Sequence, residues 1–489
     1  MKQSFSSKVI PIKLVSTPMS AVADSDDALK LYQEQGKVYS RAVRGVFARL
    51  RWIMVWVTQL VFYGIPWLQW NDRQAVLFDL ANSRFFIFGL VLHPQDLIYL
   101  AMLLVLAALA LFFFTAVAGR LWCGYACPQT VYTEIFLWLE RLTEGERLAR
   151  MRLDGARWGI EKFARKSAKQ VLWIGLSLFT GLTFVGYFTP IHDLVIELST
   201  LTFSAWEWFW VLFYGLATYG NAGYLREQIC KQMCPYARIQ SAVTDMDAMV
   251  IASDAERGES RGSRARSADP QALGLGACID CTLCVQVCPT GIDIRDGLQN
   301  ECIACAACID ACDEVMEKMN YPKGLIRYSS GKGMTDHLTP GQMVKRVWRP
   351  RVWVYGALLL LIGAVLTTGL STRKGFAVDV IRDRGALARE TGQGDIENIY
   401  RLQIMNTTEQ MQTYITSVQG MSGLTLATDP VLRVPAAGIG SLTIRLTLSA
   451  AASQAHRGQV KPIQFRVESR GLNQPVAVVD EKSTFVVPR

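Results

Sequence analysis

Five runs along the 489-residue chain are apolar enough and long enough to cross a bilayer, at residues 52–70, 97–119, 171–190, 202–220 and 352–370. A helix rising about 1.5 Å per residue spans the hydrocarbon layer in roughly 20 residues. Trp52, Trp67, Trp70, Tyr187, Trp206 and Trp208 fall at run ends, where interfacial anchors belong. The pattern therefore predicts an α-helical polytopic membrane protein of about five spans. A further apolar run at 85–92 is too brief to cross and reads as an interfacial or re-entrant piece.

Charge between the runs orients them. Arg120, Arg141, Arg147, Arg150, Arg152, Arg157, Lys162, Arg165, Lys166 and Lys169 separate the second run from the third. Residues 191–201 hold no Lys or Arg but carry Asp193 and Glu197. By the positive-inside rule the N-terminus, 120–170 and 221–351 face the cytoplasm, and the region after residue 370 lies outside. The expected location is a bacterial inner membrane with a periplasmic C-terminal domain.

Outside the spans the periodicity changes. Residues 253–272, rich in Gly, Ser and Arg, predict a flexible linker or surface loop. Beyond 371, runs at 399–405, 412–418, 441–448, 463–467 and 483–487 alternate apolar and polar residues between turn formers. That pattern predicts an immunoglobulin-like antiparallel β-sandwich. The domain layout is then an arm (1–50), a four-helix membrane domain (51–250), a ferredoxin-like α+β domain (251–345), a fifth span (346–371) and the sandwich (372–489).

Composition refines this picture without changing it. The chain is 51% hydrophobic and 19% charged, as suits a protein partly in lipid. The net charge of +9 gathers beside apolar runs and comes with no nucleic-acid module, so membrane lipid and not nucleic acid is the expected partner. The first 50 residues hold many Lys and Arg and no apolar core of a secretory signal. All twelve cysteines lie between Cys123 and Cys312, in CxxC and CxxxC spacings that read as metal or redox ligands.

The strongest signal is a repeated C-x2-C-x2-C-x3-C run: Cys278, Cys281, Cys284 and Cys288, then Cys302, Cys305, Cys308 and Cys312. This spacing serves two [4Fe–4S] clusters, with the fourth Cys of each run ligating the other cluster. Cys278, Cys281, Cys284 and Cys312 are assigned to one cluster, and Cys302, Cys305, Cys308 and Cys288 to the other. Zinc sites use four ligands in separated pairs and fit poorly. Asp313 stands where Pro usually follows the last Cys, predicting an altered local turn.

Two further pairs, Cys123-Gly-Tyr-Ala-Cys127-Pro128 and Cys230-Lys-Gln-Met-Cys234-Pro235, follow the second and fourth runs. Each Pro favours a helix beginning there, and a thiol at a helix N-terminus tends toward thiolate. Soft paired thiolates suit Cu(I) or dithiol chemistry, whereas the plainer reading is small buried residues at helix ends. Two copies at one membrane depth favour function. Whether they make one site or two stays open.

Other candidates are weaker. His93, His192, His337 and His456 form no intramembrane pair for haem, and His93 and His192 read as surface or interfacial. Met405, Met411 and Met421 read as core. With no P-loop and no strand-linked G-x-G-x-x-G, no nicotinamide or flavin site is evident. The electron donor is expected to be a reduced flavoprotein, a ferredoxin or quinol.

Residues 119–129 (GRLWCGYACPQ), 230–235 (CKQMCP) and the paired ferredoxin runs, in this order of parts, resemble the cytochrome c oxidase accessory family known as CcoG, FixG or RdxA. The resemblance implies a cupric reductase in assembly of a cbb-type oxidase. Cys123, Cys127, Cys230 and Cys234 would then bind or reduce copper, as substrate or transient ligand, and the eight ferredoxin cysteines would supply electrons. Copper chaperones and oxidase assembly factors are the implied partners. Two other readings compete: a quinol-linked electron-transfer subunit of the NapH and NosR kind, and a redox-sensing assembly scaffold. A homodimer is a further possibility.

Overall fold

A computed structural model describes residues 37–270, 272–383, 388–391, 394–470 and 477–488. Residues 1–36 of the predicted arm lie outside them. Among the described residues, four helices are long and apolar enough to cross a membrane: Val46–Trp67, Pro94–Ala118, Ile160–Val185 and Pro350–Ser371. They carry large apolar side chains outward, such as Ile53, Leu60, Leu104 and Leu361, the pattern of helices solvated by lipid.

The run at 202–220 departs from expectation. It forms a 14-residue α-helix, Ala205–Thr218, and then loosens into π-helical turns over Tyr219–Leu225 and Ile229–Met233. Gly220 and Gly223 weaken the α-helix there, and Gly223 lies under the Trp173 ring, 3.1 Å from where a Cβ would sit. Arg226 leaves the helical path to meet the buried Glu140 carboxylate at 3.0 Å, which Arg150 also reaches at 3.1 Å. Glu144 takes Lys169 at 2.8 Å. This buried ionic knot ties the helix Pro128–Glu144 to the Ile160–Val185 helix.

Residues 85–92 are not a re-entrant piece. Strands Val76–Asp79, Arg84–Ile87 and Leu90–Leu92 form an antiparallel meander. Its buried Leu77, Phe86 and Val91 share a small core with Ala437. The Glu409 carboxylate accepts from Trp70 Nε1 at 3.1 Å, Asn71 Nδ2 at 2.6 Å and Arg73 at 2.8 Å. The meander thus seats the C-terminal domain.

That domain is the predicted sandwich. Strands Ile396–Asn406 and Ile439–Leu448 pair antiparallel in one sheet, with Tyr400 opposite Ile444. Gln412–Gln419, Val460–Arg470 and Val478–Val486 build the other sheet. Inward residues including Leu402, Ile404, Tyr414, Leu446, Phe465 and Phe485 are fully buried between the sheets. Met405 is also buried and Met421 packs on this core, but Met411 is 67% exposed, contrary to its expected core role. His93 is likewise no surface residue. It is 2% exposed, and burial together with Arg373 lowers its pKa.

The cysteine-rich domain pairs Met249–Ser253 with Ile326–Ser330 beside helices Leu283–Val287 and Ala307–Met319. Of the segment expected to be a flexible linker or surface loop, residues 253–270 form a loop strapped to the domain and not a free tether. Arg264 donates to the carbonyls of Gly262, Gly276 and Cys278, and Arg257 donates to those of Pro322 and Lys323.

Candidate iron-sulfur and thiol site

Two cavities lie inside the cysteine-rich domain. One is lined by Cys278, Cys281, Cys284 and Cys312 with Arg295 at its edge. The other is lined by Cys288, Cys302, Cys305 and Cys308, with Cys284 bordering it too. The long helix carrying Cys308 also carries Cys312, and Cys288 closes the short helix that starts after Cys281. That exchange brings each run's fourth thiol to the other run's cavity.

The loops around the middle cysteines share a conformation that spacing alone does not reveal. Asp280 and Thr282 flank Cys281 at φ +54° and +56°, and Ala304 and Ala306 flank Cys305 at +55° and +60°. Left-handed backbone costs a non-Gly residue about 1 kcal/mol or more, so its repetition at matched positions is specific. Alternating left- and right-handed residues turn successive amides inward as an anion-binding nest.

Among the described residues, no three His, Cys, Asp or Glu side chains close tightly enough for a single metal ion. Four soft thiols around each cavity are the donor set that an iron–sulfur cube takes. The donor set and the nested loops therefore fit [4Fe–4S] clusters. Burial pushes Cys302 and Cys312 up to about 12 and Cys284 up to about 11. It raises Cys305 and Cys308 as well. Bound iron would supply the positive charge that such thiolates need.

The inner cavity abuts the membrane domain. Gly124, from the first CxxxCP pair, sits so close that a Cβ would lie 2.8 Å from the Ile303 carbonyl oxygen and 2.9 Å from Cys305 Cα. Tyr125 and Tyr328 bring their hydroxyls to 3.3 Å, and Tyr328 donates to the Ala304 carbonyl at 2.8 Å. Cys123 and Cys230 pack against the same buried cluster as Cys305 and Cys308. Asp310 accepts from the amides of Phe47 at 3.3 Å and Ala48 at 2.7 Å, capping the first membrane helix. Buried Arg51 is ion-paired with Glu134, and its charge opposes the upward shift that burial imposes on Cys305.

Both predicted proline helices form, as Pro128–Glu144 and Pro235–Val243, with Cys127 and Cys234 as their N-caps. The four CxxxCP thiols share one electrostatic neighbourhood. At Cys123, Cys127 and Cys230 the shift runs opposite to the expected drift toward thiolate. Burial raises Cys127, lifts Cys123 to about 12 and lifts Cys230 to about 11, outweighing the helix ends and nearby Arg120. Cys123 makes a long contact to Gln240 Oε1 at 3.9 Å, and Thr130 donates to its carbonyl at 2.6 Å. Sequence reasoning missed Gly124, Tyr125, Arg51 and Asp310, because their value lies in contacts far along the chain.

Three family models match this chain. A 4Fe-4S binding domain covers residues 100–144, a 4Fe-4S dicluster domain covers 225–331, and the IG-like fold at the C-terminal of FixG covers 366–488. The nitrogen fixation protein FixG of Rhizobium meliloti is 36% identical over 427 residues, spanning 81% of this chain and 82% of that protein. Protein RdxA of Cereibacter sphaeroides is 37% identical over 468 residues, spanning 93% and 98%. The chain belongs to the FixG and RdxA family. Protein RdxB of Cereibacter sphaeroides is 39% identical over 418 residues, spanning 83% and 87%. A crystal structure of a FixG-related protein from Vibrio parahaemolyticus aligns at 23% identity and a TM-score of 0.20, covering 23% of this chain and 97% of that one. This FixG-family chain is thus a membrane protein with iron–sulfur domains and an IG-like C-terminal domain.

Proposed function

We propose that the chain reduces Cu(II) to Cu(I) at Cys123, Cys127, Cys230 and Cys234, for assembly of the copper centre of a cbb-type cytochrome c oxidase. The carrying observation is the seat of Gly124 against the Cys305 loop, with Cys123 and Cys230 on the same buried core. A bound [4Fe–4S] cluster supplies a one-electron carrier. Each Cu(II) taken as substrate accepts one electron and leaves as Cu(I), the state soft sulfur prefers. The eight ferredoxin cysteines hold the carriers in the crossed assignment, and the nested loops position them.

In this reading the run at 202–220, with its Ala205–Thr218 helix, is the fourth of five crossings. The cysteine-rich domain then faces the cytoplasm of a bacterial inner membrane and the sandwich faces the periplasm. Copper chaperones and oxidase assembly factors receive the product. The test is anaerobic: reduce the purified protein with dithionite, remove the excess, add Cu(II), and follow cluster bleaching beside Cu(I) captured by a chromogenic chelator. Cu(I) formation should collapse when all four CxxxCP cysteines become Ser and the clusters stay intact. Undiminished formation in that variant sinks the proposal.

A further inference from the structure

A groove of about 880 Å³ runs along the first membrane helix. Trp52, Trp56, Gln59, Tyr63 and Trp67 recur at helical spacing and line it from one face. Its wall at one end is built from Val287, Pro289 and Ala307. Val287 and Ala307 also belong to the buried cluster that holds Cys305, so the groove adjoins the inner cysteine loop. Arg51, ion-paired with Glu134, lines the groove as well.

A bare lipid seat would explain the aromatic face but not two other features. The Gln59 side chain lines the groove and makes no hydrogen bond among the described residues; its Oε1 is sealed in protein, so its Nε2 is the group that asks for an acceptor from the occupant. An acyl chain has none. The end of the groove is also walled by neighbours of cluster thiols, a place of value only to an occupant that exchanges electrons.

We propose that the groove binds a lipophilic quinol and makes it the electron donor of this protein. Gln59 Nε2 donates to one quinol oxygen, the ring lies among the aromatic side chains, and the isoprenoid tail follows the lipid-facing helix. Oxidation breaks two O–H bonds. One electron goes to each of the two [4Fe–4S] centres, and two protons leave to water at the mouth, where Arg41, Arg44 and Glu146 are exposed. The product is quinone. This step rests on the reading above that the clusters carry electrons toward the CxxxCP thiols.

The test uses the full chain with its clusters in nanodiscs of dioleoylphosphatidylcholine. A photoreactive azidoquinone is crosslinked and the labelled peptide is mapped, with decylubiquinone as competitor. The label should fall within residues 46–67, and Gln59→Leu, which removes no existing bond, should weaken competition at least tenfold. Trp353→Phe, on another membrane helix, should leave it unchanged. Decylubiquinol should bleach the cluster absorbance anaerobically, at least tenfold more slowly in the Gln59 variant, while bleaching by dithionite stays the same. Label lying elsewhere, or competed equally well by oleate, would overturn the proposal. Because dithionite also drives the copper assay, a failed quinol site leaves that assay readable, and a failed copper assay leaves quinone binding readable.

Discussion

The two cysteine runs share one spacing, yet they build unlike surroundings. In the first, Pro289 ends the helix after five residues, Leu283–Val287, and Cys281 is exposed. In the second, Asp313 replaces that Pro, so the helix runs on for 13 residues, Ala307–Met319, and Cys312 sits inside it. The expected change of turn is therefore a continued helix. The freed Asp313 carboxylate accepts from the Gly324 amide at 2.9 Å. Cys305 is buried beneath Gly124 and Tyr125, the opposite of its counterpart Cys281. A duplicated motif thus specifies ligands, and single substitutions around it decide which centre meets solvent and which meets the membrane domain.

The sharpest way to break this comparison is to remove the matched thiols one at a time. Cys305→Ser should abolish the inner centre and release the cysteine-rich domain from the membrane domain, seen as lost iron, a lost paramagnetic signal and rapid proteolysis. Cys281→Ser should cost only the outer centre's signal. Next, Asp313→Pro would force the second run to resemble the first. It removes an interior helix bond to the Ile309 carbonyl and should cost about 3 kcal/mol, read as a lowered thermal midpoint. Pro289→Ala should do far less.

Gly124→Ala should follow, at about 1–3 kcal/mol, because its Cβ meets backbone atoms that cannot rotate away. Electron transfer from reduced clusters to Cu(II) should slow in that variant while the outer centre's signal persists. The gentlest perturbation is pH. Cys123 near 12 and Cys230 near 11 remain protonated through pH 9, so alkylation of both should stay slow in the copper-free protein. Each thiol that becomes a Cu(I) ligand releases a proton, so apparent Cu(I) affinity should rise with pH, about tenfold per unit per thiol. A chelator competition series checks this, and a flat profile would mean the thiols bind without deprotonating.

Much of this was legible in local pattern. The ferredoxin spacing, the proline-initiated helices at Pro128 and Pro235, and the alternating strands of the sandwich are short-range signals, and the structure carries each of them. What escaped depends on distance along the chain. The meander at 76–92 has strands of three or four residues whose burial comes partly from Ala437. The strap at 253–270 resembles a linker in composition because its arginines bond to carbonyls, which composition cannot register. Of the left-handed residues around Cys281 and Cys305, Thr282, Ala304 and Ala306 are types that give no warning of such backbone. The raised pKa of Cys123, Cys127 and Cys230 was hidden for the same reason, since helix ends are visible in sequence and burial is not.

The Asp310 cap carries a consequence for how the molecule is made. The amides of Phe47 and Ala48 wait for a carboxylate 262 to 263 residues further along. At about 5–20 residues per second, the ribosome delivers it on the order of 13–53 s after the first membrane helix emerges. That helix enters the bilayer with its leading end unfinished, and its last hydrogen bonds close only when the second cysteine run has folded. Loading of iron and sulfide is then a late fastening step in biogenesis, and a chain starved of iron should reach the membrane yet keep a frayed amino end there.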